Sequence, residues 1–117
     1  MSRLVTLPVG PRVAKRVNDP KVYKTPAADE LRGRPCACCV ERPGVTLHHV
    51  VPRSQRGDDV IENLVGLCVA CHDALHHAME TRSLYLRIGR NLTPANIAYV
   101  LEKKNGHWLE QRYGVTA

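Results

Sequence analysis

Histidines and cysteines crowd into one short stretch of this chain, residues 47–77, whose sequence is LHHVVPRSQRGDDVIENLVGLCVACHDALHH. Five of the six histidines and two of the five cysteines lie in it. Imidazole and thiolate groups are the ligands that zinc and related metals take from proteins. Imidazole is also the side chain that accepts a proton near neutral pH. The stretch therefore predicts a metal site, a reactive centre, or both.

Four of the five cysteines form two Cys-x-x-Cys pairs, Cys36 with Cys39 and Cys68 with Cys71. Two such pairs supply four thiolates, which is the complete tetrahedral ligand set of structural zinc. We predict a closed zinc site here, with no position open for a substrate, that contributes to folding rather than to chemistry. Cys38 is the surplus thiol, and we expect it to be a bystander.

The histidines are left for a second, open site. His72 and His76 are four residues apart on a predicted helix, so they share a face and can bind one metal ion. His48 and His49 are adjacent on a predicted strand, so their side chains point to opposite faces and we expect different roles for them. Asn63 lies between these elements and can fix the orientation of a histidine. Alternatively, His72 completes a mixed Cys/His zinc site and the other histidines are incidental.

The surrounding sequence indicates which elements hold these groups. The β-branched run GVTLHHVVP predicts a strand that ends at Pro52. RSQRGDD is typical of a polar loop, in which Gly57 supplies a turn. VIENLVGLC predicts a short helical turn or an irregular link into the second cysteine pair. CHDALHHAME is compatible with a helix.

Residues 81–117 have the character of structural support. SLYLRI predicts a short strand. Thr93 and Pro94 predict a helix start, as N-cap and first helical residue, and Asn105-Gly106 is expected to close that helix. A second short helix is expected to follow and to add three residues to the core: Trp108, Leu109 and Tyr113.

Length and charge limit the possible functions. A chain of 117 residues fits one small domain. Its formal charge of +6 and pI near 9.3 favour a polyanionic partner such as nucleic acid, although a soluble basic protein without that role would have the same charge. Residues 1–35 hold eight basic residues and five prolines. We predict an extended basic arm with at most a short helix at AADELRG; a solvated tail is the alternative.

No apolar run at the N-terminus has the length of a signal peptide, and no later run is long enough to span a membrane. We therefore expect a cytoplasmic protein, in the host cytoplasm if it is phage-encoded. Thiols stay reduced in that compartment, which favours metal ligation over disulfides.

The order of these residues resembles that of the HNH endonucleases, also called the ββα-metal or His-Me finger nucleases. Asn63 follows the second histidine of the pair by fourteen residues, His72 follows Asn63 by nine, and two Cys-x-x-Cys pairs bracket the motif. The stretch is similar to the zinc-bearing subgroup and to small phage-encoded HNH proteins, over roughly residues 36–77. The resemblance implies an α+β fold: a ββα-metal core (β-hairpin plus helix) over 36–80, stapled by the zinc site, with a basic arm (1–35) and a helical tail (81–117) in one domain.

The resemblance also implies a role for each matching residue. His49 would be the general base that activates water, and Asn63 would orient it. His48 and His72 would bind the catalytic divalent ion. His76 matches a third histidine ligand that some relatives have and many zinc-bearing ones lack.

The implied activity is metal-dependent hydrolysis of DNA phosphodiester bonds, by nicking or double-strand cutting, in phage DNA processing or packaging. The ion would be Mg²⁺, Mn²⁺, Ni²⁺ or Zn²⁺ beside the structural Zn²⁺. Arg53 and Arg56 would contact DNA phosphates, unless they are only solvated loop residues. The partners would be DNA and a phage terminase or packaging complex, with no membrane, for a monomer or homodimer. The alternative function is a non-catalytic, zinc-stapled DNA-binding module.

Overall fold

A computed structural model of the protein describes residues 16–116. Its centre is an antiparallel hairpin of two strands, β1 (Thr46–His49) and β2 (Leu64–Leu67), in which His48 pairs with Val65 and His49 with Leu64. Residues 16–116 also contain five α-helices: α1 (Pro26–Gly33), α2 (Val69–His77), α3 (Arg82–Arg90), α4 (Pro94–Lys103) and α5 (Gly106–Tyr113).

Helix α2 follows directly on β2, so the chain runs strand, strand, helix in the order expected for a ββα-metal core. Cys68 is the N-cap of α2, and its sulfur accepts a hydrogen bond from the backbone N–H of Cys71 at 3.4 Å. The predicted α+β fold, a hairpin plus helix beside a four-cysteine cluster, is confirmed. No helix in residues 16–116 has the length and apolar character needed to cross a membrane.

For the segment VIENLVGLC the sequence predicted the helical turn but not the strand that follows it. Ile61–Asn63 forms the expected short turn, a single 3₁₀ turn, but the chain then enters β2 instead of an irregular link. All four residues of β2 are buried. A strand covered on both faces has no alternation of polar and apolar residues, so its sequence lacks the usual strand signal.

The prediction of a strand at SLYLRI is wrong, because this segment lies inside helix α3. The alternation of Leu84, Leu86 and Ile88 suggested a strand, yet the buried pair is Ile88 and Gly89, and Gly89 lies against Tyr113 of α5. A helix satisfies its backbone hydrogen bonds internally, whereas a strand here would need a partner strand. The packing against α5 therefore outweighs the local pattern.

The helix start at Thr93 is confirmed and carries a full capping box. The Thr93 hydroxyl accepts a hydrogen bond from the Asn96 N–H at 3.1 Å, and the Asn96 side chain accepts one from the Thr93 N–H at 3.0 Å. The expected stop at Asn105-Gly106 is wrong in detail. Helix α4 ends at Lys103, and Asn105 is instead the N-cap of α5, where it accepts from Trp108 N–H at 2.8 Å.

The helical tail packs against the end of the hairpin. Leu109 and Tyr113 are fully buried, and the Tyr113 hydroxyl donates to the backbone carbonyl of Val50 at 2.6 Å. Trp108 is half-buried, and its indole N–H donates to the side chain of Gln55 at 3.0 Å. The expectation that these aromatic residues belong to the core is confirmed.

The basic arm falls partly outside the described residues, since the structure describes residues 16–116 and the prediction begins at residue 1. Pro20–Lys24 forms a 3₁₀ turn, and α1 contains the predicted AADELRG helix, with Thr25 as its N-cap. Helix α1 contacts both strands of the hairpin. This part of the segment is therefore helical and packed on the domain, not extended.

Gly89 marks the closest approach of α3 and α5, because a Cβ at this position would lie 2.0 Å from the Tyr113 carbonyl oxygen. We predict that Gly89→Ala destabilises the protein by about 1–3 kcal/mol, since backbone atoms must move apart and this strain exceeds the gain in helix propensity. Thermal and urea unfolding measure the change.

The matched control is Gly33→Ala, at the end of α1, where an added Cβ would meet no atom within 4 Å. Its unfolding free energy should stay within about 0.5 kcal/mol of the parent or rise slightly. Equal stability of the two variants would show that α3 and α5 are not in tight contact.

Candidate metal centre and active site

The four paired cysteines converge on one point between the loop before the hairpin and the start of α2. One sulfur from each of Cys36, Cys39, Cys68 and Cys71 lies within 4.8 Å of the others. The Cys39 and Cys68 sulfurs are 3.8 Å apart. Tetrahedral zinc with Zn–S bonds of about 2.3 Å requires sulfurs about 3.8 Å apart. The residues present thus fit a structural zinc ion.

The surroundings of the sulfurs also favour a bound cation. Burial by itself raises the pKa of the Cys36 thiol, but backbone N–H groups of Cys39, Cys68 and Cys38 point at its sulfur and lower the pKa to about 6. Burial and the neighbouring sulfurs raise the pKa of Cys71. Four clustered thiols cannot all ionise without a positive charge between them. Cys38 is buried outside the cluster, and burial raises the pKa of its thiol.

The histidines line a separate open cavity of about 300 Å³, which we call the histidine cavity. It lies where β1, α2, α3 and α5 meet. No acidic side chain of residues 16–116 lines it. Its polar lining consists of four histidines, two arginines and one tyrosine: His48, His49, His72, His76, Arg53, Arg112 and Tyr85.

His48 has the environment of a metal ligand. Its Nε2 atom is inaccessible to solvent and has no hydrogen-bond partner within residues 16–116. Burial lowers the pKa of His48 to about 3, helped by the nearby His49, His72, His76 and Arg112. The ring is therefore neutral over the physiological range and has a lone pair to offer. A buried imidazole nitrogen without a partner needs an explanation, and a bound cation supplies one.

His72 and His76 lie one turn apart on α2, as their spacing predicts, with ring centroids 4.5 Å apart. Both face the histidine cavity. The cysteine cluster is the one group of three or more histidine, cysteine or acidic side chains in residues 16–116 whose donor atoms all lie within 4.8 Å of one another. At least two of the nitrogens that His48, His72 and His76 offer are therefore farther apart than that. His77 lies off the cavity, where its ring pairs with the Asp73 backbone carbonyl at 3.0 Å.

His49 also lines the cavity, and its Nε2 contacts a polar cluster. Nε2 lies 2.9 Å from the Asp59 carboxylate and 3.3 Å from the Tyr23 hydroxyl. The adjacent histidines therefore have different partners, although both line the histidine cavity. His48 has a buried nitrogen open to a metal, and His49 is held by an acid.

Asn63 is a structural clamp on the loop between the strands. It is fully buried, and its side chain accepts from Val51 N–H at 2.8 Å and donates to the Val51 and Asp58 carbonyls at 3.0 Å each. The Asn63 backbone carbonyl accepts from Val50 N–H at 2.8 Å. Asn63 thus fixes the chain directly after His49 and does not contact the imidazole with its side chain.

The two predicted phosphate-contacting arginines have different settings. Arg53 lines the cavity, is about half exposed, and contacts the Tyr23 hydroxyl at 2.5 Å and Asp59 at 3.3 Å. Arg56 ends the 3₁₀ turn Arg53–Gln55 in a left-handed conformation, with φ of 69°. Arg56 is not among the residues that line the cavity.

Sequence reasoning missed Asp59, Tyr23, Tyr85 and Arg112. Arg112 is the most distant in sequence, and it reaches the cavity from the C-terminal helix α5. Its guanidinium lies over the Tyr85 ring at 4.8 Å and near Trp108 at 5.8 Å, and its Nε is buried without a partner in residues 16–116. No local signal links it to the histidines. One feature of the sequence could have indicated Asp59: it belongs to an acidic pair in the loop that follows the strand with His48 and His49.

A larger cavity, of about 490 Å³, opens elsewhere on the molecule, between α1, the first cysteine pair and the start of α4. It contains no histidine. All four histidines that line a cavity of residues 16–116 are at the smaller one, so we place the candidate active site there.

Comparison with known proteins agrees with this geometry. The model of the family described as HNH endonuclease matches residues 36–78. The type IV methyl-directed restriction enzyme EcoKMcrA of Escherichia coli (strain K12) is 38% identical over 52 residues, which cover 41% of this chain and 19% of that enzyme. The chain thus spans about a fifth of the length of the curated relative it matches. No solved structure gives a significant match.

Residues 36–78, which contain the hairpin, α2 and the four-cysteine cluster, thus match the HNH endonuclease family. The resemblance inferred from His-His, Asn and His between two cysteine pairs is confirmed.

We predict that Cys36→Ser or Cys71→Ser abolishes binding of one zinc equivalent and lowers the free energy of unfolding by an amount on the order of several kcal/mol, because the metal binds only the folded chain. Elemental analysis of purified protein and thermal unfolding measure both effects. Cys38→Ala is the matched control and should keep its zinc. Zinc retention and an unchanged melting temperature in Cys36→Ser would refute the structural zinc site.

Proposed function

We propose that this chain is a metal-dependent DNA endonuclease that hydrolyses phosphodiester bonds in the histidine cavity, with His49 as the general base. One observation carries the proposal: four histidines and Arg53, all within the HNH match, meet Arg112 from α5 in a single open cavity. They come from a strand, a loop and two helices that are distant in sequence, so proximity along the chain does not account for the set.

DNA is the substrate that the charge distribution favours. The chain has a net charge of +6, and the cavity lining includes Arg53 and Arg112 without an acidic side chain. A phosphodiester would bring negative charge to a cavity that has no acidic side chain in its lining, although Arg53 already contacts Asp59 behind it. Arginine also offers paired N–H donors that fit two phosphate oxygens.

In the proposed reaction His49 accepts a proton from a water molecule, whose oxygen forms the new bond to phosphorus. The bond between phosphorus and the 3′-oxygen breaks, and the leaving oxygen takes a proton from solvent. The products carry a 5′-phosphate and a 3′-hydroxyl. Asn63 supports this step by fixing the backbone immediately after His49.

A divalent cation held by His48 and His72, with His76 as a further donor, would stabilise the negative charge that develops on the phosphate. The lowered pKa of His48 keeps that ring neutral and ready to bind. Imidazole donors suit Zn²⁺ and Ni²⁺ well, whereas Mg²⁺ and Mn²⁺ prefer oxygen ligands. A comparison of these four ions therefore tests the ligand set.

Arg112 is the residue we assign to phosphate binding beside Arg53. Tyr85 and Trp108 hold its guanidinium in place, and the Tyr85 hydroxyl is 3.3 Å from its terminal nitrogen. The buried Nε has no partner in residues 16–116. A phosphate oxygen would satisfy it at the moment when negative charge enters the cavity.

The biological setting is a separate proposal. The name of the Escherichia coli relative describes methyl-directed restriction, but the match covers 19% of that enzyme. The match therefore supports a nuclease and does not specify which DNA is cut. Phage DNA processing, with a terminase or packaging complex as partner, stays the prediction from the sequence, as does a monomer or homodimer.

We predict that the parent protein nicks or linearises supercoiled plasmid only with an added divalent ion, and that His49→Ala reduces the rate by about 10²- to 10⁴-fold because no other group takes the proton. Agarose gels across Mg²⁺, Mn²⁺, Ni²⁺ and Zn²⁺ measure nicked and linear product. His77→Ala, an exposed histidine on α2, is the matched control and should cut like the parent.

Two outcomes would contradict parts of this proposal. Parental cleavage by a His49→Ala variant with normal zinc content and melting temperature would exclude His49 as the base. DNA retention on a native gel without cleavage by the parent under any of the four ions would favour the non-catalytic DNA-binding module.

We further predict that Arg112→Ala lowers the cleavage rate by a factor on the order of 10², because a preorganised cation facing the phosphate is lost. Arg90→Ala, an exposed arginine on α3 outside the cavity, removes the same charge and should change the rate little. Single-turnover plasmid cleavage compares the two variants. An equal loss of cleavage rate in both variants would show that Arg112 contributes only through the net charge of the protein.

A further inference from the structure

Asp59, in the loop between the strands, is a buried acid for which the family resemblance supplies no role. Its side chain has no solvent exposure, and its Oδ1 lies 2.9 Å from Nε2 of His49. We propose that Asp59 is a positioning residue that holds His49 in the Nε2–H tautomer, so that Nδ1 is the nitrogen that accepts the proton of the attacking water. This inference rests on the proposed role of His49.

The carboxylate of Asp59 is surrounded by donors. Oδ1 accepts from Arg16 at 2.6 Å and from Arg53 Nε at 3.3 Å, and the Tyr23 hydroxyl lies 3.4 Å away. Oδ2 accepts from the backbone N–H of Asp19 at 2.9 Å. Each of these partners donates a hydrogen bond or carries positive charge, which favours the ionised acid.

The pKa of Asp59 agrees with this arrangement. Burial alone would raise the pKa, but the hydrogen bonds from His49 and the Asp19 backbone and the charges of Arg53 and Arg16 lower it below its ordinary value. Asp59 is therefore a carboxylate at neutral pH and can only accept hydrogen bonds.

The tautomer of His49 follows from that restriction. Because the carboxylate has no proton to give, the hydrogen between it and His49 belongs to Nε2 of the imidazole. In a neutral ring the lone pair is then on Nδ1. No residue of 16–116 forms a hydrogen bond with that atom, and the ring lines the histidine cavity. The geometry thus selects one of two nitrogens as the base.

A purely structural role for Asp59 is the competing explanation, since Arg16 and Asp19 tie the N-terminal segment to it. The loop has other anchors, however. Asn63 clamps its two ends, and Asp58 joins it to α4 through the Tyr99 hydroxyl at 2.6 Å and Lys103 at 3.1 Å. The adjacent acids thus separate in function: Asp58 anchors the loop, and Asp59 faces the histidine.

The test is Asp59→Asn, which keeps the size of the side chain but removes the obligatory acceptor. An amide can present its N–H₂ group to Nε2 and so favour the opposite tautomer. We expect kcat for plasmid cleavage to fall by about 10²- to 10⁴-fold, as is typical when a base loses its tautomer partner, while KM for the plasmid stays at the parental value.

The second readout is nitrogen NMR of zinc-loaded, ¹⁵N-histidine-labelled protein, in which His49 is assigned by its absence from the His49→Ala spectrum. We expect the proton on Nε2 in the parent and on Nδ1, or on both nitrogens in exchange, in Asp59→Asn. Asp58→Asn is the matched control: it removes a neighbouring acid, should lower the melting temperature, and should leave the His49 tautomer unchanged.

The possible results separate this inference from the proposed function. A parent ring with its proton on Nδ1 overturns the inference, whether or not the variant folds. Parental kcat and tautomer in Asp59→Asn also overturn it. If the parent cuts no plasmid with any ion, the proposed function fails, and the parent tautomer still decides whether Asp59 positions His49.

Discussion

The convergence of four cysteine sulfurs is the constraint on which the rest of this small domain depends. Cys36 and Cys39 come from the loop before β1, and Cys68 and Cys71 begin α2, so their meeting closes the chain around the whole hairpin. Cys68 is at once a sulfur of the cluster and the N-cap of α2. The cluster therefore sets the position and the first residue of that helix. The positions of His72 and His76, which lie on the helix, depend on the cluster as well.

The loop from residue 52 to residue 63 is the second fixed element, although it contains little regular structure. A buried amide at Asn63 satisfies backbone groups of Val51 and Asp58. The adjacent acids Asp58 and Asp59 tie the loop to α4 and to the segment at residues 16–19. Buried polar groups are costly unless paired, and here each is paired. This loop holds the end of β1, and with it His49, at a defined distance from α2.

The sequence predicted the parts of the site that have regular spacing, because metal ligands and helix faces impose it. The two Cys-x-x-Cys pairs and the four-residue interval from His72 to His76 have such regular spacing. Asp59 and Arg112 escaped prediction because their roles depend on tertiary contacts. Arg112 is forty residues beyond His72, and Asp59 looked like any acid in a polar turn. The strand expected at SLYLRI failed for a related reason, since packing of Gly89 against Tyr113 decided the helix.

Cys71 and His72 are neighbours in sequence, yet one belongs to the sulfur cluster and the other faces the histidine cavity. Successive residues of a helix are rotated by about 100° about its axis, so the number of residues between Cys71 and His72 fixes the angle between the cysteine face and the histidine face of α2. Insertion or deletion of one residue between Cys68 and His72 would turn one set of ligands away from its partners. We therefore expect alignments of related chains to show no gap between these two positions.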